Sequence, residues 1–286
     1  MADIDLAYAD DATLAAIRAA LKAADVARAL RFADAEVSPP SPVLPNVAGR
    51  SDKVLGFNSL GAPVATAGAS SITTAILALS PYVYWPLNET SGTVIADASG
   101  NARNATLSGS VTLAQTGPDG GANAMTFIAG RVTAGTTWNH TDWTAVAWVK
   151  PTFSAPASDP ALFCQHESGS VRYSTHFAAD REGFVGWNGT TALIADGAAQ
   201  IIDLLKDNLW YHVAIVRKSS GRMVFHVNGR AYCGGAFTLG AVTTQPLTFG
   251  ASTTAFATPF VGSAAHLAYW NRVLSEREIW KLYAGG

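Results

Sequence analysis

From residue 82 to residue 270 the chain is divided into many short apolar segments that are separated by turn-forming residues. The segments are rich in Val, Ile, Phe and Trp, and Asn228-Gly229 directly after one of them is a strong signal for a tight hairpin turn. The predicted strands are residues 82–86, 105–108, 124–127, 143–150, 161–165, 173–178, 183–187, 210–217, 222–227, 247–249 and 264–270. Many short strands with turns at this spacing are typical of a two-layered sandwich, so the sequence predicts an all-β domain over residues 72–286.

The composition of the chain argues against nucleic-acid and membrane partners. Only 14% of the 286 residues are charged and the net charge is −2, with both signs scattered, so no basic stripe indicates a nucleic-acid partner. No stretch reaches the roughly 18 apolar residues of a membrane helix, and the acidic residues 1–5 do not resemble a secretory signal. We therefore expect a protein made in the cytoplasm without membrane insertion. Cys164 and Cys233 are expected to be buried free thiols, with a disulfide between them as the alternative.

The first 37 residues predict a helix that serves attachment or oligomerisation. Nine of the eighteen residues 12–29 are Ala, and Leu14, Ile17 and Leu21 form one apolar stripe at spacings of three and four. A helix with so little side-chain bulk is marginal alone in water, so it must pack on its own copies, on another protein or on the sandwich. We expect a homo-oligomer, most simply a trimer, that this stripe holds together.

Residues 38–71 predict a stiff spacer followed by a small β-hairpin. Four prolines between residues 38 and 45 favour an extended chain, and residues 54–57 and 63–65 read as two strands around a turn. Residues 46–64, NVAGRSDKVLGFNSLGAPV, resemble an element found near the N-termini of bacteriophage tail-fibre and virion appendage proteins. This resemblance implies a virion location and contacts with other virion proteins.

Six segments of the large domain together resemble the laminin-G-like jelly roll of the concanavalin A-like lectin/glucanase superfamily. They are YWPLNETSG at 84–92, ADASGN at 96–101, WTAVAWVKP at 143–151, WYHVAIV at 210–216, FHVNG at 225–229 and YWNRVLSEREI at 269–279. The last segment also predicts a C-terminal helix with a capping box of Ser275 and Glu278, and with Ile279, Trp280 and Tyr283 as anchors. The resemblance implies a recognition module more often than an enzyme.

The same resemblance raises the question of a calcium ion at the rim of the sandwich. Relatives of this kind use an Asp in an early Asp-x-Ser-Gly-Asn turn, which here implies Asp97 and Asn101 as ligands. The sequence departs from that pattern near the last strand, where Ala264 and Ala265 stand in place of an acidic residue. An Asx turn at Asp97 is the alternative, and no other cofactor is expected.

Catalytic signatures are weak. Glycoside hydrolysis requires two carboxylates about 5–10 Å apart, but none of the six glutamates has an Asp two residues later. A pair of Asp180 or Glu182 with Asp203 across strands is left open. Cys164 and His166 would share a strand face, but the segment lacks the electropositive setting that activates a thiol. We therefore expect no enzymatic activity.

Carbohydrate recognition requires aromatic faces with amide, imidazole or hydroxyl groups beside them. The candidate sugar-binding residues are Trp187, Asn188, Tyr173, His176 and Trp138. Core packing is the alternative for Trp187, and the other tryptophans are expected in the core or as anchors. The sequence thus favours a phage virion appendage or decoration protein whose jelly roll binds surface glycans or neighbouring virion proteins. A polysaccharide-degrading enzyme and a purely structural cement protein are the alternatives.

Overall fold

The computed structural model describes residues 53–57, 63–67, 71–121, 123–153, 159–167, 170–178, 183–190, 192–196, 205–242, 244–255 and 258–285. The chain divides into two compact units, residues 1–68 and 69–286. In the first unit, β1 (Lys53–Phe57) pairs antiparallel with β2 (Pro63–Ala67), which confirms the predicted hairpin. The predicted helix with Leu14, Ile17 and Leu21 and the proline-rich spacer lie outside the described residues.

The second unit contains fourteen strands and two helices among its described residues. The helices are α1 (Ser71–Leu77) and α2 (Glu276–Ala284). The strands are β3 (Val83–Trp85), β4 (Val94–Ile95), β5 (Ala105–Gln115), β6 (Ala124–Ala134), β7 (Trp143–Pro151), β8 (Ala161–Glu167), β9 (Ser170–Phe177), β10 (Gly183–Trp187), β11 (Ala192–Asp196), β12 (Tyr211–Lys218), β13 (Arg222–Val227), β14 (Arg230–Ala236), β15 (Thr248–Phe249) and β16 (Gly262–Trp270).

The strands form an antiparallel sandwich of two layers that share one hydrogen-bonded network. Layer A follows the order β11-β10-β9-β8-β15-β6-β5-β4, and layer B follows the order β14-β13-β12-β7-β16-β3. β16 joins the layers because Gly262–Ala264 pair with β6, whereas Leu267–Tyr269 pair with β3 after a register shift. The all-β jelly-roll fold predicted from the sequence is confirmed.

Aromatic rings fill the space between the layers. Trp143 stacks on Tyr173 with ring centroids 4.8 Å apart, and Phe184 stacks on Phe225 at 4.6 Å. All four side chains are fully buried, and they belong to one continuous apolar cluster contributed by both layers. Burial of each such ring contributes of the order of 2 kcal/mol or more, so this cluster is the main source of stability of the sandwich.

The two helices cover the outer face of layer B. Ile76 from α1 and Ile279 and Leu282 from α2 are buried in a second apolar cluster with Trp148 and Trp270. The predicted capping box begins α2, since Ser275 accepts from the Glu278 N–H and the Glu278 side chain accepts from Ser275 N–H. The sequence predicted Trp280 as an anchor of this helix, but its side chain is 43% exposed. Leu282 is buried instead.

All eleven predicted strands are present, and the structure adds elements that the sequence did not predict. β4, β11, β14 and helix α1 are absent from the prediction. Cys164 is buried and free, as expected, whereas the side chain of Cys233 lies outside the described residues.

Candidate functional site

One row of mostly polar side chains crosses the outer face of layer A from β5 to β10. Each member is the direct cross-strand partner of the next, and such partners point to the same face. The row consists of Thr106, Thr133, Thr248, Cys164, Ser174 and Trp187. Their chain neighbours, such as Leu107, Val132, Phe163 and Tyr173, belong to the core, so alternation places this outer row on the opposite face.

The two ends of the outer row are accessible, whereas its middle is covered. Thr106 is exposed and Trp187 is half-buried, while Thr248, Cys164 and Ser174 are buried. The segment that follows β15 turns back over the middle, where Thr248 Oγ1 donates to the carbonyl of Ala251 at 3.1 Å. A ligand on this face therefore meets the row at the Trp187 end or at the Thr106 end.

An imidazole lies beside the indole at the Trp187 end. The ring of His166 meets that of Trp187 edge to face, with centroids 5.2 Å apart. His166 is half-buried, and its Nδ1 has no hydrogen-bond partner among the described residues. Burial lowers the pKa of His166, and the nearby carboxylate of Glu167 only partly opposes this. The ring is therefore neutral at pH 7, and its Nδ1 is shielded from solvent.

A charged pair joins β6 to the end of β8, on either side of β15. Arg131 Nη1 lies 3.7 Å from Glu167 Oε2, which also accepts the backbone N–H of Thr254 at 2.9 Å. The side chains are 11% and 24% exposed. A guanidinium group and a backbone N–H both hold this carboxylate, so its position is fixed.

A chain of hydrogen bonds joins four polar groups under the covered part of the row. Cys164 Sγ lies 3.0 Å from Ser174 Oγ, which contacts His176 Nε2, and His176 Nδ1 lies 3.0 Å from the carbonyl of Asp159. Because a carbonyl only accepts, Nδ1 carries the proton and the thiol and hydroxyl donate in turn toward Nε2. Each group in the chain is thereby satisfied.

The hydrogen-bonded series of Cys164, Ser174 and His176 is poorly suited to nucleophilic catalysis. Burial raises the pKa of the Cys164 thiol to about 11, against smaller opposing effects of its hydrogen bonds and of Arg131. Burial lowers the pKa of His176 to about 4, and Ser174 is fully buried. A thiol that stays protonated and a hydroxyl without access to solvent are groups that stabilise the fold.

Three of the five candidate sugar-binding residues are buried, so the expectation that they form exposed platforms is wrong. Tyr173 and Trp138 are core residues with 1% and 5% exposure, and His176 is 7% exposed within the chain described above. Trp138 stacks on Trp85 with centroids 6.0 Å apart. These rings complete the aromatic core, and a sugar cannot reach their faces.

Trp187 and Asn188 remain near the surface but have different roles. Asn188 Nδ2 donates to the carbonyl of Thr238 at 2.8 Å, and its Oδ1 accepts the N–H of Thr190 at 3.0 Å. The amide therefore closes the turn after β10. Trp187 is the one member of the predicted set whose ring lies in contact with a candidate polar partner, His166, at the surface of layer A.

The family follows from the match of the sequence to known domains. A laminin-G-type model described as the concanavalin A-like lectin/glucanases superfamily matches residues 119–280. The chain belongs to this superfamily. No curated protein matches the sequence.

Solved structures with the same concanavalin A-like fold have low sequence identity to the chain. Domain 4 of AbnA, a GH43 extracellular arabinanase from Geobacillus stearothermophilus solved with arabinotriose, has a TM-score of 0.56 and 13% identity over 71% of this chain and 98% of its own. The binding domain of botulinum neurotoxin serotype D has a TM-score of 0.54 and 14% identity over 72% of this chain. The binding domain of botulinum neurotoxin DC, solved with SialylT, has a TM-score of 0.53 and 14% identity over 73%. The chain spans about half the length of both toxin domains.

The early turn of this concanavalin A-like domain is held together by its own side chains. Asp97 Oδ1 accepts the N–H groups of Tyr84 and Ser99 at 3.0 and 2.9 Å, and Oδ2 accepts that of Arg103 at 2.9 Å. Burial raises the pKa of Asp97, but these hydrogen bonds outweigh it and hold the pKa below its usual value. The Ser99 contact is the Asx turn that the sequence offered as the alternative to calcium binding.

Asn101, the second implied calcium ligand, also serves the turn. Its Nδ2 donates to the carbonyls of Pro81 and Tyr82, each at 3.2 Å. Among the described residues, no group of three or more His, Cys, Asp or Glu side chains is placed to hold a metal ion. The calcium site stays a prediction, and the geometry of these two residues does not favour it.

The remaining catalytic candidates are not part of the described site. Asp180, Glu182 and Asp203 lie outside the described residues, so their pairing stays a prediction. Of the helices in the part of the chain that the structure describes, neither is long and apolar enough to cross a membrane.

Sequence reasoning missed Arg131, Glu167 and His166. His166 lies two residues after Cys164 on β8, so alternation places it on the same outer face as Ser174 and Trp187. The contact of the imidazole with Trp187 on β10 depends on the order of the strands, which the sequence pattern does not contain. Arg131 lies on the part of β6 beyond the predicted strand, where alternation with Val132 was the available signal.

Proposed function

We propose that the sandwich domain binds saccharides without cleaving them, at the Trp187 end of the outer row. The observation that carries this proposal is the half-buried indole of Trp187 with the ring of His166 in contact beside it. An indole face packs against the C–H face of a sugar ring, and a neutral imidazole beside it extends the aromatic surface without adding a charge that binding would desolvate. Glu167 follows His166 in the chain, and its carboxylate is a fixed acceptor that Arg131 and the backbone N–H of Thr254 hold in place.

The chemistry of the surrounding groups supports binding over hydrolysis. The Cys164 thiol is protonated, Ser174 is buried, and the Glu167 carboxylate is engaged by Arg131 and by a backbone N–H. Protonation, burial or pairing therefore makes each of these groups a poor nucleophile. Two of the similar structures were solved in complex with arabinotriose and with SialylT, which is consistent with the proposal.

At the level of the whole chain, we propose a bacteriophage virion appendage or decoration protein. The support is the resemblance of residues 46–64 to virion appendage proteins and the predicted Ala-rich helix that precedes them. The N-terminal unit attaches to other virion proteins and trimerises, and the sandwich contacts host glycans. Several weakly binding heads on one particle raise the avidity by a factor of about 10²–10⁴ without new contacts.

The first test measures saccharide binding by the full chain and by two matched variants. Trp187→Ala removes the proposed platform, and Trp280→Ala removes an exposed tryptophan from α2, on the outside of layer B. A glycan array of neutral and acidic bacterial polysaccharides identifies a ligand, and calorimetry gives its Kd. We expect Trp187→Ala to weaken binding about 30-fold or more, as for other central aromatic anchors, and Trp280→Ala to leave it unchanged.

Two results would contradict the proposal. Equal loss of affinity in both variants would mean that tryptophan removal acts through the fold, and retained affinity in Trp187→Ala would place the sugar elsewhere. Release of reducing ends from a bound polysaccharide would replace the binding module with an enzyme. An absence of any glycan ligand would favour a structural cement protein.

The quaternary part of the proposal has a separate test. Light scattering after gel filtration gives the mass of the full chain and of residues 69–286. We expect a trimer that becomes a monomer when the N-terminal unit is removed. Monomers in both cases would contradict trimerisation and favour docking of the N-terminal helix on another protein.

A further inference from the structure

Two buried arginines lie at one end of the sandwich, where β12 ends and β7 begins. Arg172 on β9 is 3% exposed and Arg217 near the end of β12 is 5% exposed. Arginine is rarely buried to this extent unless its guanidinium group is paired. The hydrogen-bond partners of the two guanidinium groups therefore show whether their burial is compensated.

Several guanidinium N–H groups of the two arginines have no acceptor among the described residues. Arg172 Nη2 donates to the carbonyls of Asn139 and His140 at 3.3 and 3.2 Å. Arg172 Nε, together with Arg217 Nε and Nη1, is buried without a hydrogen-bond partner among the described residues. The indole Nε1 of Trp143 is also buried without a hydrogen-bond partner among the described residues. Four buried donor atoms at this end of the sandwich thus lack an acceptor in the part of the chain that the structure describes.

The fold places these donors next to one another. Arg217 is the direct cross-strand partner of Trp143, and Trp143 stacks on Tyr173 at 4.8 Å. Arg172 precedes Tyr173 and is the residue of β9 left unpaired where the register shifts, since Gln165 pairs with Tyr173 and His166 with Val171. A bulge of this kind re-aims a side chain, here toward the loop before β7.

The local charge is positive. His140 lies in the loop that receives Arg172, and its pKa is lowered by burial and further by the charges of Arg103 and Arg172. Burial lowers the pKa of Arg217, the carboxylate of Asp142 opposes this, and the charge of Arg172 adds to the lowering. The carboxylate of Asp142 also accepts the N–H of Ser219 at 2.7 Å. The Asp142 carboxylate thus offsets part of the positive charge around Arg217.

Unpaired buried donors of a charged group are costly, so an acceptor with negative charge would stabilise this arrangement. We propose that Arg172 and Arg217 form a binding site for an oxyanion, a carboxylate, sulfate or phosphate group, beneath the loop of residues 135–142. The planar fork of guanidinium matches the paired oxygens of such groups, and Asn139 in the covering loop is exposed. This site is separate from the Trp187 end of the outer row and does not depend on the proposed saccharide binding.

The test titrates the full-length protein with sodium acetate, sodium glucuronate, sodium sulfate and sodium phosphate at constant ionic strength, with sodium chloride as the reference. Calorimetry gives Kd, and circular dichroism shows that each variant is folded. Arg217→Gln removes the guanidinium that has no acceptor at Nε and Nη1. Arg277→Gln on α2 is the charge-matched control, since α2 packs against Gly229 at the other end of the β12–β13 hairpin.

We expect at least one oxyanion to bind the unaltered protein, and Arg217→Gln to weaken it about 10-fold or more, with Arg277→Gln unchanged. Asp142→Asn removes the competing carboxylate while its amide oxygen still accepts from Ser219, so this variant binds the oxyanion more tightly. Preference for glucuronate and acetate identifies a carboxylate as the ligand, and preference for sulfate or phosphate identifies a tetrahedral anion; both support the site.

Three outcomes would overturn the proposal. They are no binding beyond that seen in chloride, equal affinity in Arg217→Gln and the unaltered protein, and unchanged or weaker binding in Asp142→Asn. If Arg217→Gln does not fold, the affinity of Asp142→Asn for the oxyanion tests the proposal instead. Failure of the saccharide proposal is recognised separately, because Trp187→Ala leaves the oxyanion affinity unchanged and Arg217→Gln leaves neutral-sugar binding unchanged.

Discussion

Lowering the pH from 7.5 to 4.5 perturbs three histidines that the sandwich buries in neutral form. His176, His212 and His266 are between 1% and 7% exposed. Burial is the main cause in each case: it lowers the pKa of His212 to about 3 and those of His176 and His266 to about 4. Both ring nitrogens of His212 are buried without a hydrogen-bond partner among the described residues, which makes its protonation in the folded state especially unfavourable.

The sign of the effect follows from proton linkage. The unfolded chain binds a proton on each histidine below about pH 6.5, whereas the folded chain does so only below about pH 3 to 4. Between these values the unfolded state holds more protons, so the free energy of unfolding falls as the pH falls. Each histidine contributes a loss of about 1.4 kcal/mol at pH 5.5 and about 2.6 kcal/mol at pH 4.5.

The three losses together reach about 4 kcal/mol at pH 5.5 and about 8 kcal/mol at pH 4.5. A typical domain has about 5–15 kcal/mol of stability in total, so the sandwich should approach unfolding near the lower pH. His140, His166 and His226 also have lowered pKa values caused mainly by burial, and they add to the loss in the same direction. Hydrogen bonds from Arg272 and Ser275 lower the pKa of Glu278 to about 2, so its contribution is lost only at more acidic pH.

Urea unfolding followed by tryptophan fluorescence measures this loss at pH 7.5, 6.5, 5.5 and 4.5 and constant ionic strength. His212→Leu is the informative variant because leucine is of similar size and has no nitrogen to desolvate. We expect the variant to match or exceed the unaltered protein at pH 7.5 and to lose about 3 kcal/mol less on going to pH 4.5. A flat profile between pH 6.5 and 4.5, or the same slope in both proteins, would refute the assignment of the loss to buried neutral histidines.

Three further predictions concern other parts of the chain. Ser275→Ala removes the cap of α2 and should lower the free energy of unfolding by about 1 kcal/mol in the same urea assay. Gly229→Ala should lower it by more, since φ is +79° and the added Cβ would lie 2.9 Å from Trp280 Cε3, whereas Gly92→Ala with φ +82° has open space and shows the backbone cost alone. Ile17→Asp should dissociate the oligomer in light scattering and leave the sandwich folded, and a persistent oligomer would contradict the predicted stripe.

The sequence predicts the strands well because their signals are local. Turn residues such as Asn228-Gly229 interrupt the chain at regular intervals, and runs such as Trp143–Pro151 are apolar on both faces because layer B is covered by helices outside and by layer A inside. The cap of α2 is predicted for the same reason, since Ser275 and Glu278 are three residues apart. β14 was missed because Gly234 and Gly235 weaken the strand pattern.

The candidate site depends on contacts between distant strands, which no local pattern records. Trp138 and Tyr173 have the composition of a sugar platform, but tertiary packing places both rings in the core. Arg172 is the residue of β9 that is left unpaired at the register shift with β8, and a bulge of this kind decides which way a side chain points. A single-sequence pattern contains the alternation along each strand but not the position of the bulge.

The two outer faces of the sandwich differ in what they leave available for function. α1 and α2 pack on layer B through Ile76, Ile279 and Leu282, and so bury that face in a second core. The outer face of layer A is covered in its middle by the segment after β15, which leaves its ends and the adjoining loops in contact with solvent. Trp187 lies at one such end, and the loop over Arg172 lies at the end of the sandwich where β7 begins. Variation of these side chains changes the ligand at little cost to the core, and a change in the aromatic core would destabilise the sandwich without creating a new site.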